Sequence, residues 1–343
     1  MTCPLSRRFP TMSSLEADTA LTVRLVEGFD DPALDRTRWD RALAAGCTDV
    51  VFLTWAWQRQ WWKAFGGERL MLVLAEQAGE VRAIAPLFAL EDMLFFVGSG
   101  GSDYLDFIGE LDAPTLTAML DLARQELAQF AGIGLYHVPV DSRTTSLLPE
   151  VASQLGLDLY NEEELTAPHL DLADGERVSA ALERRKVRKE ENRMRRAGKM
   201  RFCSPAANEI DEWLEIFFAQ HEARWHPEGE EGLEDAAHRT FVRAIVHEGH
   251  RHGWVRITMF EWSGAPVAFD ISLVHRGWHL SYLVSRDTSI REYSPGKILE
   301  REVIRRAMKA GSSYYDFGLG DEAYKLSHAS GVRKLANWSL YPP

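Results

Sequence analysis

Within ten residues, Asp316 to Lys325 brings together the carboxylates of Asp316, Asp321 and Glu322, the Tyr324 phenol and the Lys325 ammonium. Asp316 lies in a strand-like run, Ser313–Phe317, and the others follow it and a Gly318-Leu319-Gly320 loop. Open α/β sheets usually hold ligands just past a strand end. Upstream, Arg291-Glu292-Tyr293-Ser294-Pro295-Gly296-Lys297 leads into a run with Ile298, Leu299, Val303, Ile304 and Met308 at helical spacing, stopped by Gly311. Pro295 suits the first helical turn and Gly296 permits close backbone approach. A helix N-terminus of this kind offers free amides and the positive dipole end, so Ser294–Lys297 is expected to bind an anion.

The pattern Tyr-x-Pro-Gly, a helix, Tyr314-Tyr315-Asp316-Phe317, then Gly320-Asp321-Glu322-x-Tyr324-Lys325 resembles the GNAT-type acyltransferases of the CelD/BcsL kind, relatives of the FemAB group. The match is good over the C-terminal half and loose over the N-terminal half. The resemblance implies an α/β fold with mixed sheets, built as two tandem GNAT-like domains. It implies acetyl-CoA or another acyl-CoA as co-substrate and no metal, with the pyrophosphate at Arg291, Ser294, Pro295, Gly296 and Lys297. The usual signature there is Arg or Gln, two residues, Gly, one residue, Gly or Ala; Ser294 stands where its first glycine would be.

Acyl transfer to an amine needs a neutral amine held at the carbonyl, a donor for the developing oxyanion and a proton for the leaving group. Asp316 is the expected proton acceptor, and Tyr324 the expected donor to a leaving thiolate. Lys325 is placed on donor phosphate or oxyanion. Asp270 interrupts the apolar run Pro266–Ile271, where a carboxylate must be hydrogen-bonded or carry a raised pKa, so it is a second base candidate. Each has a plain structural alternative: a loop cap for Asp316, a packed ring for Tyr324, solvated surface for Lys325, an exposed sheet face for Asp270.

The elements that must position these groups fall into two halves. Leu21–Val26, Leu70–Ala75, Val81–Phe88 and Met93–Val97 read as strands, with helices at Asp31–Ala45 and Thr54–Phe65 between the first two. The density of Trp55, Trp57, Trp61, Trp62 and Phe65 reads as core or domain interface. A glycine cluster, Gly98-Ser99-Gly100-Gly101, then precedes Ser102-Asp103-Tyr104; no Gly-Lys-Ser/Thr follows, so it reads as a turn or as a loop lining the acceptor site through Asp103 and Tyr104. Acidic Asn161–Pro168 marks the boundary between domains at 21–165 and 166–343. The second domain opens on a helix over Glu176–Ala197, continues through helices at Glu209–Ala223 and Ala236–His247 to an antiparallel meander over Gly253–Ser285, and ends on a strand Leu335–Leu340. Tyr104-Leu105-Asp106-Phe107 is a crude echo of Tyr314–Phe317.

The chain has 343 residues and a net charge of −12, which argues against general nucleic-acid binding. Between Arg184 and Arg201, however, ten Lys or Arg meet two Glu. This block is either a solvated helix or an anion-binding face, with Arg188 in it, for a sugar nucleotide, phosphopolymer or tRNA acceptor stem. No apolar run is long enough to span a membrane. Ser6-Arg7-Arg8-Phe9 lacks a following apolar segment and is not read as an export signal; residues 1–20 read as a disordered leader. Cys3, Cys47 and Cys203 have no metal spacing and fit a reducing cytoplasm. His247-Glu248-Gly249-His250 and His221-Glu222…His226 miss the i, i+4 spacing of a zinc helix. The leading expectation is a cytoplasmic N-acyltransferase moving an acyl group from acyl-CoA to a small or glycan-precursor amine, such as an amino sugar or exopolysaccharide intermediate. A Fem-like aminoacyl-tRNA-dependent ligase and a catalytically silent binding component are the alternatives.

Overall fold

A computed structural model describes residues 20–67, 69–225 and 235–343. The expected leader lies outside the described residues except for Ala20, as do Cys3 and His226. Thirteen strands form one sheet: β1 (Thr22–Val26), β2 (Arg69–Gln77), β3 (Glu80–Leu90), β4 (Met93–Phe96), β5 (Ile108–Gly109), β6 (Gly132–Pro139), β7 (Asp158–Asp171), β8 (Met200–Cys203), β9 (Val255–Trp262), β10 (Ala265–His275), β11 (Trp278–Arg286), β12 (Tyr314–Asp316) and β13 (Gly331–Tyr341). The helices are α1 (Arg36–Ala45), α2 (Trp55–Phe65), α3 (Ala113–Gln125), α4 (Arg143–Leu155), α5 (Gly175–Leu182), α6 (Arg185–Ala197), α7 (Ile210–Trp225), α8 (Ala236–His252), α9 (Pro295–Lys309) and α10 (Ala323–His328).

The order across the sheet is β1-β2-β3-β4-β6-β13-β7-β12-β11-β10-β9-β8. Each half runs as an antiparallel meander whose last strand pairs in parallel with the next one in the sheet, β4 with β6 and β11 with β12. The counterpart of β12 is therefore β6, and the Tyr104–Phe107 echo occupies no equivalent place. The closing strands are exchanged. β7, from the first half, pairs with β12, while β13, from the second, pairs with β6, and the two run antiparallel to each other.

The expected boundary at 165/166 falls inside β7. Its acidic stretch reads as a linker in sequence, yet those residues are in register with β13, Leu165 opposite Leu335 and Glu163 opposite Asn337. The Asn337 amide donates to Glu163 at 3.1 Å.

The expected helix over 176–197 is two helices, interrupted at Glu183 and Arg184. The break matters because it creates a second helix N-terminus. Most helices here start on a side-chain cap: Asp35, Thr54, Asp112, Ser142, Asp174 and Asp235 each accept a first-turn N–H. The side chains of Arg184 and Ser294, which start α6 and α9, cap nothing. The first-turn amides of α6 have no side-chain acceptor, while at α9 Pro295 has no N–H and the Lys297 N–H is taken by the Ser294 carbonyl at 3.1 Å, so the Gly296 N–H is the one left for solvent or ligand.

Packing fixes both helices. One hydrophobic core runs through both halves, where Trp57 of α2 meets Phe241 of α8 edge-on at 5.2 Å. A smaller one lies under α5, α6 and α9, with Val187, Met194, Ile298, Val303, Tyr315 and Phe317. Buried Arg301 of α9 ion-pairs with Glu191 of α6, and Arg193 lies over the Tyr293 ring at 4.3 Å. The basic helix is thus anchored along one edge and charged along the other.

Candidate functional site

The parallel pairing of β11 and β12 ends at Leu280–Asp316, after which the strands part. At the same level β11 carries a bulge: Ser281 pairs with Ser272 and Leu283 with Ile271, leaving Tyr282 as the extra residue. Its hydroxyl donates to the carbonyl of Gly101 at 2.8 Å, tying the second half to the glycine loop of the first. The gap opens into a cavity of about 370 Å³. Arg286, Gly296 and Lys297 line it at the α9 N-terminus; Tyr324, Lys325 and Glu322 line it beyond β12; and Asp103 comes from the first-half loop. Asp270, Ser281, Tyr315 and Glu300 also belong to its wall.

Alternation along a strand decides which acid faces this space. Tyr315 and Phe317 line the cavity, so Asp316 between them points to the other face. There it borders a smaller pocket with Tyr104, His275, Trp278 and Arg333. Asp316 is 2% exposed, accepts the Tyr104 hydroxyl at 2.6 Å and accepts the Gly318 N–H at 2.8 Å. Burial raises its pKa to about 6 against those two hydrogen bonds. Asp316 therefore does not line the large cavity expected of a proton acceptor; it holds Tyr104 and the Gly318 turn.

Asp103, the neighbour of Tyr104, does line the cavity. Among the described residues its carboxylate receives a single, long hydrogen bond, from the Leu319 N–H at 3.4 Å, and burial lifts its pKa to about 6 although Lys325 and that amide pull it down. Gly318 has φ +75°, which favours glycine, and a Cβ there would stand a tight 3.1 Å from the Asp103 carboxylate. Lys325 is 7% exposed; its ammonium donates to the Leu319 carbonyl at 2.5 Å and pairs with Glu322 at 2.9 Å, clamping the loop. Tyr324 is 37% exposed at the cavity rim. Asp270 is buried, accepts hydrogen bonds from Ser272 and Ser281, and has its pKa raised to about 6 by burial. It is a satisfied strand carboxylate rather than one on an exposed sheet face.

The expected anion site divides. Ser294 adopts φ +53°, the left-handed conformation for which glycine is favoured, so the serine takes the backbone shape that a glycine would take there. Pro295 is buried, and Gly296 and Lys297 face the cavity. Arg291 lines neither of the cavities that meet here; its carbonyl accepts the Ser294 N–H at 3.0 Å. Arg188 pairs with Glu183 at 2.8 Å on the exposed side and does not line the basic cavity beside α6. Sequence reasoning missed Arg286. Its guanidinium has no hydrogen bond or ion pair among the described residues, and its buried Nε lacks a partner. A basic residue ending a strand just before the Pro-Gly turn was the available signal.

Asp103, Asp106, Asp270 and Asp316 all have pKa values raised to about 6 by burial. Between about pH 4 and pH 6 the folded chain then binds more protons at these groups than the unfolded chain does, so their contribution to stability rises as pH falls. The melting temperature is expected to increase from pH 7 to pH 5. Asp106→Asn, which keeps the shape of a carboxyl hydrogen-bonded by Thr48 and Thr144, should flatten part of that slope. A melting temperature that falls steadily over this range would refute the assignment.

Among the described residues no group of three or more His, Cys, Asp or Glu could hold a metal, and no helix is long and apolar enough to cross a membrane. Residues 182–326 match the acetyltransferase (GNAT) domain family. No curated protein sequence matches the chain. Among solved structures it is similar to FemX (TM-score 0.64, 11% identity, 88% of this chain and 96% of that one). It is similar to L-PGS from Bacillus licheniformis (TM-score 0.58, 13% identity, 93% of each chain). A tandem GNAT protein from the clavulanic acid biosynthesis pathway gives TM-score 0.53 at 11% identity, over 94% of this chain and 99% of that one. At these identities the likeness is one of fold. The chain therefore has an α/β fold of two tandem GNAT-like domains, and its second half matches the GNAT acetyltransferase domain.

Proposed function

We propose that this protein is an N-acyltransferase that moves an acyl group from acyl-CoA to an amine. The observation that carries the reading is one cavity lined both by the unpaired cations Arg286 and Lys297 and by a carboxylate and a phenol, Asp103 and Tyr324, opened where two parallel strands part. Arg286, Lys297 and the Gly296 N–H at the start of α9 would meet the donor's phosphates. At Asp103 and Tyr324 the amine nitrogen bonds to the acyl carbon as the carbon–sulfur bond breaks. Asp103 accepts the amine proton and Tyr324 supplies one to the leaving thiolate. Lys325, through the Leu319 carbonyl, holds the Gly318–Gly320 loop against Asp103. Asp316 acts through Tyr104 and Gly318 as a positioning residue. An amino sugar or other glycan-precursor amine is the acceptor class we favour, on the resemblance to the CelD/BcsL kind.

Acetyl-CoA at a hundredfold excess over its dissociation constant is expected to stabilise the protein by about 2.7 kcal/mol. Lys297→Glu should abolish the shift with the unliganded melting temperature unchanged. The second reading, an aminoacyl-tRNA donor, is favoured by the basic α6 and by the sequence resemblance to relatives of the FemAB group. Steep salt dependence of charged-tRNA binding, together with no shift by any CoA ester, would replace the first reading by the second.

A further inference from the structure

Next to the large cavity lies another of about 300 Å³, lined by Arg184, Arg185, Lys186, Val187, Glu190, Ser294 and Lys297. Lys297 belongs to both, so the two meet at the start of α9. Arg185, Lys186 and Lys297 make no ion pair or side-chain hydrogen bond among the described residues. Three other arginines of α6 are answered by carboxylates: Arg188 pairs with Glu183, Arg193 with Glu190 and Arg195 with Glu191. Arg184 is steadied by the Ser327 hydroxyl at 3.0 Å, and the lone acid of the cavity, Glu190, is turned toward Arg193. Arg184, in the break between α5 and α6, and Arg185, Lys186 and Val187, in the first turn of α6, supply this lining.

A pyrophosphate at Arg286 and Lys297 leaves this cation-rich space unfilled. We infer that the cavity between α6 and the α9 turn is a second phosphate subsite, which takes a monoester phosphate carried on the ribose of the donor nucleotide. The donor is then required to bear phosphate on both sides of its sugar, as CoA does and dephospho-CoA does not. The inference rests on the acyl-CoA reading and adds the part of the donor that α6 recognises. Guanidinium and ammonium groups grip a dianionic phosphate through charge-assisted hydrogen bonds, which are stronger than neutral ones.

The test is calorimetric binding of CoA and of dephospho-CoA to the full chain and to an Arg185→Ala/Lys186→Ala variant. Both side chains are exposed, so the variant should keep its melting temperature. The intact protein is expected to bind CoA at least about tenfold more tightly than dephospho-CoA. In the variant the preference should shrink to within about twofold, through loss of CoA affinity alone. Equal affinity of the intact protein for the two nucleotides would overturn the subsite while leaving the CoA reading in place. So would a variant that loses affinity for both nucleotides alike. Failure of both nucleotides to bind the intact protein would instead overturn the CoA reading itself.

Discussion

Asp103→Asn is expected to lower turnover by roughly two to four powers of ten, the range for loss of a general base. The acid side of the pH profile carries the sharper test. Because burial holds the Asp103 carboxyl near 6, kcat/KM should rise with pH up to about that value and then level off. Asn keeps the shape and the contact with Leu319 but cannot take a proton, so the limb should vanish with the rate. Donor binding and melting temperature should change little. Asp316→Asn should behave differently: Tyr104 and the Gly318 turn lose their charged acceptor, which loosens the loop and shifts kcat and KM together while the pH limb persists. If Asp103→Asn retains most of its turnover and its pH limb, the base lies elsewhere, with Asp316 reached through Tyr104 as the next place to look.

The other large effect concerns the exchanged strands. A chain ending at residue 330 is expected to lose cooperative folding in both halves, because β13 is the neighbour of β6 on one side and of β7 on the other. Its absence would expose unpaired edges in the middle of the sheet, where Leu335, Ala336 and Leu340 are fully buried. For the same reason residues 166–343 alone should not fold, since β13 would have neither of its full partners. Circular dichroism and limited proteolysis would show this directly. A stable protease-resistant fragment covering the first half would refute the interdependence.

What could be read from the sequence follows the reach of local patterns. The meander strands and the helix after Pro295 are local, and their residues announced them. The departure at Ser294 looked chemical in the sequence but preserves the backbone shape, with φ +53° where the usual signature has glycine. Alternation within Tyr315-Asp316-Phe317 was also available, and would have turned Asp316 away from the aromatic-lined cavity. Asp103 belonged to a loop whose partner, Leu319, lies more than two hundred positions later in the chain. No local period reports such a meeting. The acidic residues of β7 and the charged break before α6 misled for a common reason. Both are stretches where charge suggests solvent, while strand pairing or anchoring at one edge decides the structure.

The exchange of β7 and β13 also sets a schedule for biosynthesis. When β7 has left the ribosome, the strand that should lie between it and β6 has not been made. About 170 further residues must follow, which at ordinary rates of about 5–20 residues per second takes roughly ten to thirty seconds. Throughout that interval the nascent first half presents an open edge of β6 and both edges of β7 to its neighbours on the polysome. A cell making this protein has reason to shield the chain until its last strand arrives, and synonymous changes that slow translation of the second half would lengthen the exposure.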